Sequence, residues 1–375
     1  MVIVGLSGGV DSSVAALVLK AQGVKLAGLF MKNWEEDDAS GTCSAEADAQ
    51  SARQAAVTLG IDFYTRNFAT EYWDGVFEYF LSELKANRTP NPDVLCNREV
   101  KFKTFIEHAS ALGAKSIATG HYARKHQQNG AFALLKARDA NKDQSYFLHQ
   151  LNQAQLAASL FPLGELLKPQ VRKLALEFGL ANHDRKDSTG ICFIGERNFV
   201  PFLKRFLTPK PGRMQTLAGK DVGPHEGLQF YTLGQRGGLG IGGQKDGNGQ
   251  PWFVVAKDAE RNVLIVNQGD CAELYAHSLQ ASSPHWIGEN PLAKQTRWQG
   301  FAKTRYRQPD QACEIFYVGD ALEVRFAEPQ RAVTPGQFVV FYQGDLCLGG
   351  ATIERSDAAF GGLPADSLAS KGQAA

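Results

Sequence analysis

Gly5-Leu6-Ser7-Gly8-Gly9-Val10-Asp11-Ser12-Ser13 follows the apolar run Val2-Ile3-Val4 and opens a segment with Val14, Leu17 and Val18 at helical spacing. This strand–loop–helix junction decides the fold. Gly8 and Gly9 let the backbone approach an anion closely, and successive N–H groups can form a nest around it. Ser7, Ser12 and Ser13 add hydroxyl donors, and a helix N-terminus favours negative charge. Asp11 repels phosphate unless it holds the loop or a Mg²⁺ ion. The string lacks the Gly-Lys-Ser/Thr ending of a Walker loop and the G-x-G-x-x-G spacing of a dinucleotide turn.

Outward from this loop, strand and helix patterns alternate. Strands are expected at Val2–Gly5, Val24–Phe30, Ile61–Thr65 and Ser116–Thr119. Helices are expected at Ser12–Gln22 and Ala45–Leu59, with further helical spacing through Phe77–Leu84 and Phe102–Ile106. A polar loop fills Lys32–Thr42. This order predicts an α/β unit, a parallel sheet with helices on both faces. Near residue 210 the pattern changes: Pro209, Pro211 and Gly212 punctuate the chain and helical periodicity ends. Short β-type runs follow at Phe253–Ala256, Val263–Val266, Cys313–Tyr317, Ala321–Phe326, Gln337–Tyr342 and Leu346–Ile353. The expected division is a catalytic unit at 1–208, a central β-rich unit at 209–281, a C-terminal β-barrel at 282–355 and a disordered tail at 356–375.

Of 375 residues, 43% are hydrophobic and 21% charged, which suits several packed domains and excludes a disordered chain. The net charge is only +1, so nucleic-acid binding has to come from local basic patches. No run approaches the ~20 apolar residues of a membrane span. Val2-Ile3-Val4 reads as a buried strand rather than a leader, and the expectation is a cytoplasmic monomer. None of the six cysteines, Cys43, Cys96, Cys192, Cys271, Cys313 and Cys347, forms a C-x-x-C pair, which argues against a zinc ribbon.

Two cysteines stand in polar, turn-rich strings. Asn91-Pro92-Asp93-Val94-Leu95-Cys96-Asn97 is a loop leading into a helix, with Cys96 near the helix N-terminus, where the dipole favours a thiolate. Asp93, three residues earlier, reaches the same pocket if the loop turns. Asp187-Ser188-Thr189-Gly190-Ile191-Cys192-Phe193-Ile194-Gly195 suggests a loop that exposes Cys192. On these residues alone, each cysteine reads equally as buried filler or as reactive thiol.

The Ser-Gly-Gly-x-Asp-Ser string resembles the pyrophosphate loop (PP-loop) of ATP pyrophosphatases, which have an adenine nucleotide alpha hydrolase-like fold. The resemblance implies that Gly5, Leu6, Ser7, Gly8, Gly9, Val10, Asp11 and Ser12 hold ATP, with Mg²⁺. It also puts Met31 and Gly120 near the nucleotide at the sheet's C-terminal edge. Longer blocks narrow the family. Met31–Trp34, Asn91–Asn97, Gly120–Ala123, Lys142–Leu148, Ser188–Gly195, His225–Leu228 and Tyr231–Gly243 together resemble the bacterial tRNA-specific 2-thiouridylases. The likeness runs from the first strand to about Ile353. Ala137-Arg138-Asp139 departs from it, standing where that family has a Gly-containing turn.

This second resemblance implies a sulfurtransferase. ATP adenylates the C2 oxygen of the anticodon wobble uridine, and sulfur from a cysteine persulfide displaces AMP. Cys192 then carries the persulfide, Cys96 is the nucleophile or resolving thiol, and Asp93 is the acid/base. A permanent Cys96–Cys192 disulfide does not suit a reducing compartment. An iron–sulfur cluster on the two cysteines plus one further ligand is the alternative. The implied sulfur source is a persulfide carrier protein of a sulfur relay or a cysteine desulfurase. For tRNA, Asn91, Pro92 and Asp93 receive the flipped base. Lys142, Asp143 and Gln144 contact the RNA, Arg305 grips phosphate while Tyr306 stacks on a base, and His121 and Gln337 lie near the target nucleotide. Glu196–Arg213 reads as an amphipathic helix whose basic face either contacts phosphate or is simply solvated. Two rivals share parts of this pattern: a small-molecule ATP pyrophosphatase, which needs no cysteine pair, and a catalytically inactive RNA-binding adaptor.

Overall fold

The computed structural model describes residues 1–34, 44–187, 199–242 and 249–362. Seven strands lie in the first half: β1 (Val2–Gly5), β2 (Leu26–Lys32), β3 (Asp62–Asn67), β4 (Ser116–Ala118), β5 (Ala123–Gln128), β6 (Ala131–Lys136) and β7 (Ser159–Leu160). Five of them form a parallel sheet in the order β3-β2-β1-β4-β7. Alternate residues of β1 feed opposite cores. Ile3 packs with Leu29, Phe77, Phe102 and Phe105, whereas Val2 and Val4 pack with Val14, Leu17, Ala52 and Val171. Covering both faces is what makes strands such as β1 continuous apolar runs. The helices α1 (Val10–Ala21) and α2 (Ser44–Leu59) belong to the second core, and α1 starts two residues before its expected position. Because β1 has β2 on one side and β4 on the other, the strand order reverses beside it. The crevice beyond the C-terminal ends of β1 and β4 is where open α/β sheets bind ligands.

The hairpin β5–β6 was not expected. Asn129 and Gly130 turn it with φ of 52° and 79°, the pair of positive values that a two-residue type I′ loop requires. Its second strand pairs with the last strand of the C-terminal half, Leu135 opposite Leu346. The first unit thus lends two strands to the third.

The second half is β throughout, as expected. β8 (Gly212–Thr216), β9 (Asp221–His225), β10 (Trp252–Asp258) and β11 (Val263–Gln268) form a sheet in the order β10-β11-β8-β9. Then β12 (Tyr275–Trp286), β13 (Trp298–Lys303), β14 (Gln311–Val318), β15 (Ala321–Arg331), β16 (Phe338–Gln343) and β17 (Leu346–Ser356) run β12-β15-β14-β13-β16-β17, and β17 pairs back onto β12. This closed antiparallel barrel is filled by Leu279, Ile315, Val324, Val339, Phe341 and Ile353, all fully buried. The expected divide at 282 falls inside β12, whose pairing with β15 begins at Tyr275, so we place the start of the barrel there. The expected disordered tail also begins in order. Asp357 accepts from the backbone N–H groups of His277 and Ser278, and Ser356 bridges to Gly362. Residues 363–375 lie outside the described residues.

Of the amphipathic helix expected at 196–213, the described part is short, Phe199–Leu203. Its apolar side joins an aromatic cluster in which Phe202 and Phe206 lie 5.7 and 6.3 Å from Trp34. On the polar side Lys204 pairs with Glu226 at 2.6 Å, which favours a solvated face over a phosphate-binding one.

Candidate active site

The glycine-rich loop caps β1 in the crevice. Gly8 has φ +82°, and a Cβ there would lie 2.4 Å from the Asp48 carbonyl oxygen, so only glycine fits. Its carbonyl accepts from Ser51 Oγ (2.8 Å), Asn182 Nδ2 (2.9 Å) and Arg185 Nη1 (3.1 Å). C=O and the following N–H of a trans peptide point oppositely. Three donors on the Gly8 carbonyl therefore turn the Gly9 N–H the other way, where Ser7 Oγ meets it at 3.4 Å. Ser12 Oγ accepts from the Ser7 N–H at 3.1 Å and donates to the Gly9 carbonyl at 3.0 Å. The first-turn N–H groups of α1 at Val10, Asp11 and Ser12 have no acceptor within the helix and suit an anion.

The other expected nucleotide residues divide. A Cβ on Gly120 would meet Ser12 N at 2.7 Å, so the segment after β4 touches the loop after β1, and the two come together as expected. Leu6 and Val10 are 1% and 2% exposed and anchor the loop through the core. Met31 is also a core residue, with its methyl 3.4 Å from where a Gly5 Cβ would stand.

Asp11 is tied to two other segments of the first unit. Both carboxylate oxygens accept from Lys168 Nζ (2.7 and 2.8 Å), and one accepts from Tyr122 OH at 2.8 Å. Lys168 also reaches Asp187 at 2.7 Å, and Asp187 binds Lys142 (2.6 Å) and Arg172 (3.0 Å). Burial alone would raise the Asp187 carboxyl, but hydrogen bonds from Lys142 and Lys168 outweigh it and hold it at about 2. Burial, reinforced by the Asp11 charge, pushes the Tyr122 phenol up, so it stays protonated as a donor. Lys168, Asn182 and Arg185 escaped the sequence reading because they lie over 150 residues from the loop they support.

Pro92–Cys96 forms the start of a helix that continues through a π-helical stretch, Asn97–Thr104, into Phe105–Ala111. Pro92 occupies the first position, where its missing N–H costs nothing. Cys96 is therefore the fifth helical residue, past the first turn, and fully buried; the expected exposure to the helix N-terminus is not realised. Asp93 lies three positions earlier, on the same helix face. The same helix carries Phe105, whose ring edge stands 3.2 Å from a Gly5 Cβ position. The cysteine helix and the root of the nucleotide loop thus share one core. Cys192 and most of its string, Ser188–Gly195, lie outside the described residues, as does Cys43.

Several residues expected at the RNA also bond within the protein. Asp143 is 6% exposed and accepts from the N–H groups of Ala137 and Ser145 and from Ser145 Oγ. Gln144 Oε1 accepts from the Tyr122 N–H at 2.9 Å, and Lys142 is bound to Asp187. One Arg305 nitrogen donates to the Leu233 carbonyl (2.7 Å), the Ala332 carbonyl (2.9 Å) and Thr334 Oγ1 (3.1 Å). That nitrogen staples the central unit to the barrel. Tyr306 packs 4.4 Å from Phe147, while Arg307 lies over its ring. His121 bonds Thr119 Oγ1 at 2.9 Å, and burial, with Lys101 nearby, pushes its pKa well below the usual range, leaving a neutral ring. Gln337 bonds the segment carrying Asn91: its amide donates to the Thr89 carbonyl at 2.7 Å, and Asn91 Nδ2 donates to its Oε1 at 3.4 Å. A cavity of about 590 Å³ opens between the β5–β6 hairpin and the barrel, lined by Arg124, Lys136, Arg138, Lys303, Tyr306 and Arg307. The Lys142–Leu148 block and the segment around Arg305 and Tyr306 contribute Asp143, Tyr146, Lys303, Tyr306 and Arg307 to this lining, whereas Arg124, Lys136 and Arg138 come from the unexpected hairpin and the residues after it.

Among the described residues no group of three His, Cys, Asp or Glu side chains is placed to hold a metal ion. No helix among them is long and apolar enough to cross a membrane.

Comparison with known proteins covers nearly all of the chain. Residues 1–196 match a family model described as the tRNA methyl transferase HUP domain, 200–268 the tRNA methyl transferase PRC-barrel domain, and 276–353 the aminomethyltransferase beta-barrel domain. The protein named tRNA-specific 2-thiouridylase MnmA from Pseudomonas aeruginosa (strain LESB58) is 55% identical over 97% of both chains. The Methylococcus capsulatus protein of that name is 57% identical over 94% of this chain and 96% of its own. The one from Streptococcus sanguinis is 54% identical over 95% of each. Among solved structures, a 4-thiouridine synthetase–RNA complex with bound ATP covers 51% of this chain and 44% of its own, at 17% identity and a TM-score of 0.34, too distant to carry an argument.

Proposed function

The chain belongs to the tRNA-specific 2-thiouridylase family, a group of tRNA sulfurtransferases, and from that premise we propose how its own residues carry the reaction. The observation that carries the proposal is the loop Gly5–Ser12. A pinned Gly8 carbonyl fixes its conformation, the first-turn N–H groups of α1 have no acceptor within the helix, and its one acid is already paired with Lys168. That is a cradle for the β,γ-phosphates of ATP, and Mg²⁺ arrives with the nucleotide, held chiefly by its phosphates.

A uracil C2 oxygen is a poor leaving group. It first attacks the α-phosphorus of ATP, pyrophosphate departs, and the oxygen becomes part of an O-adenylate. The terminal sulfur of a Cys192 persulfide then attacks C2 and AMP leaves with the former carbonyl oxygen. The Cys96 thiolate attacks the Cys192 sulfur, the S–S bond breaks toward the base, and 2-thiouridine is released beside a Cys96–Cys192 disulfide. A cellular dithiol reduces that disulfide, and a persulfide-bearing carrier reloads Cys192. Asp93, one turn from Cys96, takes the proton from the persulfide or from the uracil ring. Burial of Cys96 protects its thiol until the base arrives.

Arg138 and Arg307, the exposed cations of the 590 Å³ cavity, are proposed to take the phosphate backbone of tRNA, while Arg124, Lys136 and Lys303 are paired there with Asp345, Asp310 and Asp143. A cytoplasmic setting, where tRNA and reduced thiols coexist, suits this chemistry. Methyl transfer, the wording of two matching domain models, is the second reading. The ATP loop and the two-cysteine pattern favour sulfur. Incubating the enzyme with tRNA, ATP and a labelled persulfide carrier, then digesting the RNA, is expected to yield 2-thiouridine with AMP. Labelled methyl from S-adenosylmethionine in the product, with no sulfur incorporated, would make methyl transfer the function.

A further inference from the structure

The segment Asn87–Asn91, which leads into the helix bearing Asp93 and Cys96, is bonded to both β units as well as to Glu83 and Leu84 of the first unit. Lys257 of β10 donates to the Asn87 carbonyl at 2.9 Å. Arg88 pairs with Glu354 of β17 at 2.6 Å, and Glu354 is itself bonded by Ser282 of β12. The Thr89 N–H donates to the Pro335 carbonyl at 2.9 Å. Gln337 donates to the Thr89 and Pro90 carbonyls and accepts from Asn91. Thr89 Oγ1 also meets Thr232 Oγ1 of the central unit at 3.4 Å. Contact is so close that a Cβ on Gly336, at φ +90°, would stand 3.0 Å from three backbone atoms of Thr89. Behind this turn, Arg305 ties residues 332–334 to Leu233.

We infer that the barrel turn Thr334–Gln337, with Glu354 and Lys257, is a clamp that sets the position of Asp93 and Cys96. Arg88, Glu354, Lys257 and Gly336 are then positioning residues: they touch no reacting atom and act through the strut they hold. The inference rests on the reading of Asp93 and Cys96 as the reacting pair. Its physical ground is leverage. The helix starts at Pro92, one residue beyond Asn91, and continues to Phe105, which packs against Gly5 at the root of the nucleotide loop. A shift of the strut is passed along a rigid element to both side chains. Misplacement of a reacting group by about 1 Å can cost on the order of a hundredfold in rate. Burial drives the Lys257 ammonium down to about 7, the mark of a side chain retained in a dry contact between units. The β half on this view assembles the catalytic centre of the first unit, in addition to any contact it makes with RNA.

The test uses the full chain with Gly336→Ala and, as a milder second variant, Glu354→Gln. Three quantities are measured: kcat and KM for tRNA, the thermal midpoint, and the iodoacetamide labelling rate of Cys96 by peptide mass spectrometry. Expected are a fall in kcat of about tenfold or more in Gly336→Ala, a KM for tRNA within about twofold, and Cys96 labelling altered about fivefold. Labelling of Cys313 and Cys347, buried in or against the barrel, stays unchanged. An unchanged kcat and Cys96 labelling in both variants would overturn the clamp, and so would a rise in KM alone, or a loss matching only the unfolded fraction. Cys96→Ser separates the two claims. If it thiolates normally the reaction scheme fails, while altered Cys96 labelling in Gly336→Ala still supports the clamp.

Discussion

Asp11 stands where a phosphate-binding loop can least tolerate a carboxylate, and Lys168 with Tyr122 removes the conflict. With side chains only 10% exposed for Lys168 and 31% for Asp11, this pair is costly to break from one side. Lys168→Met is expected to destabilise the protein by about 3 kcal/mol, read as a lower urea midpoint, and to suppress AMP formation. An unchanged midpoint would mean that Asp11 is balanced by something else. Asp187 titrates in the same network. Its folded pKa of about 2 lies below the usual 3.8, so its stabilising contribution is complete above pH 3.8 and lost as pH falls toward 2. Urea midpoints measured across that window should fall more steeply for the parent than for Asp187→Asn; parallel curves would contradict the assignment. Gly8, Gly9 and Ser12 were legible in the sequence because the loop is local. Lys168 was not, since a lone lysine far along the chain carries no pattern until the fold brings it to Asp11. Cys96 was legible as a candidate, but its burial was not, because a five-residue string does not reveal that the helix begins at Pro92.

At the scale of elements, the loop between β1 and α1 depends on one backbone conformation. Gly8→Ala forces a Cβ against the Asp48 carbonyl at a positive φ, which costs about 1–2 kcal/mol in backbone strain before any displacement. AMP formation is expected to drop on the order of a hundredfold while tRNA binding by filter retention persists; loss of both together would point to general misfolding. The parallel sheet was read correctly because β1 and β2 are buried on both faces, so their apolar runs stand out. The β5–β6 hairpin was missed although Asn129-Gly130 is a strong hairpin signal. Its first strand, Ala-Arg-Lys-His-Gln-Gln, has no apolar alternation to draw attention to it. β12 was cut at residue 282 because Ser282-Ser283-Pro284 looks like a linker, yet a register shift lets the strand carry on through it to Trp286. Lys142, Asp143 and Gln144 have a role within the fold that the sequence does not show: they bond Asp187, Ser145 and Tyr122.

Across the whole molecule, a nearly neutral chain gathers five cations, with Asp143, Asp310 and Asp345, at one cavity between the first unit and the barrel. Arg307 is one of its two exposed cations, with Arg138, and its guanidinium lies 5.6 Å from the Tyr306 ring. Arg307→Ala should weaken tRNA binding and reduce the slope of log affinity against log salt by about 1, without altering ATP affinity. An unchanged slope would remove the cavity from the RNA path. The three-unit division was legible from the loss of helical periodicity near residue 210, whereas the exchange of strands and clamps between units was not, because such contacts join residues with no sequence relation. The central claim is that ATP cleavage at the α-phosphorus serves sulfur transfer to tRNA through Cys192 and Cys96. A single-turnover reaction of persulfide-loaded enzyme with tRNA and α-labelled ATP tests it most directly. The account predicts AMP and 2-thiouridine formed in equal amounts, none without tRNA, and no 2-thiouridine from Cys192→Ser or Cys96→Ser. AMP released without tRNA, or 2-thiouridine formed at the parental rate by either cysteine variant, would contradict it.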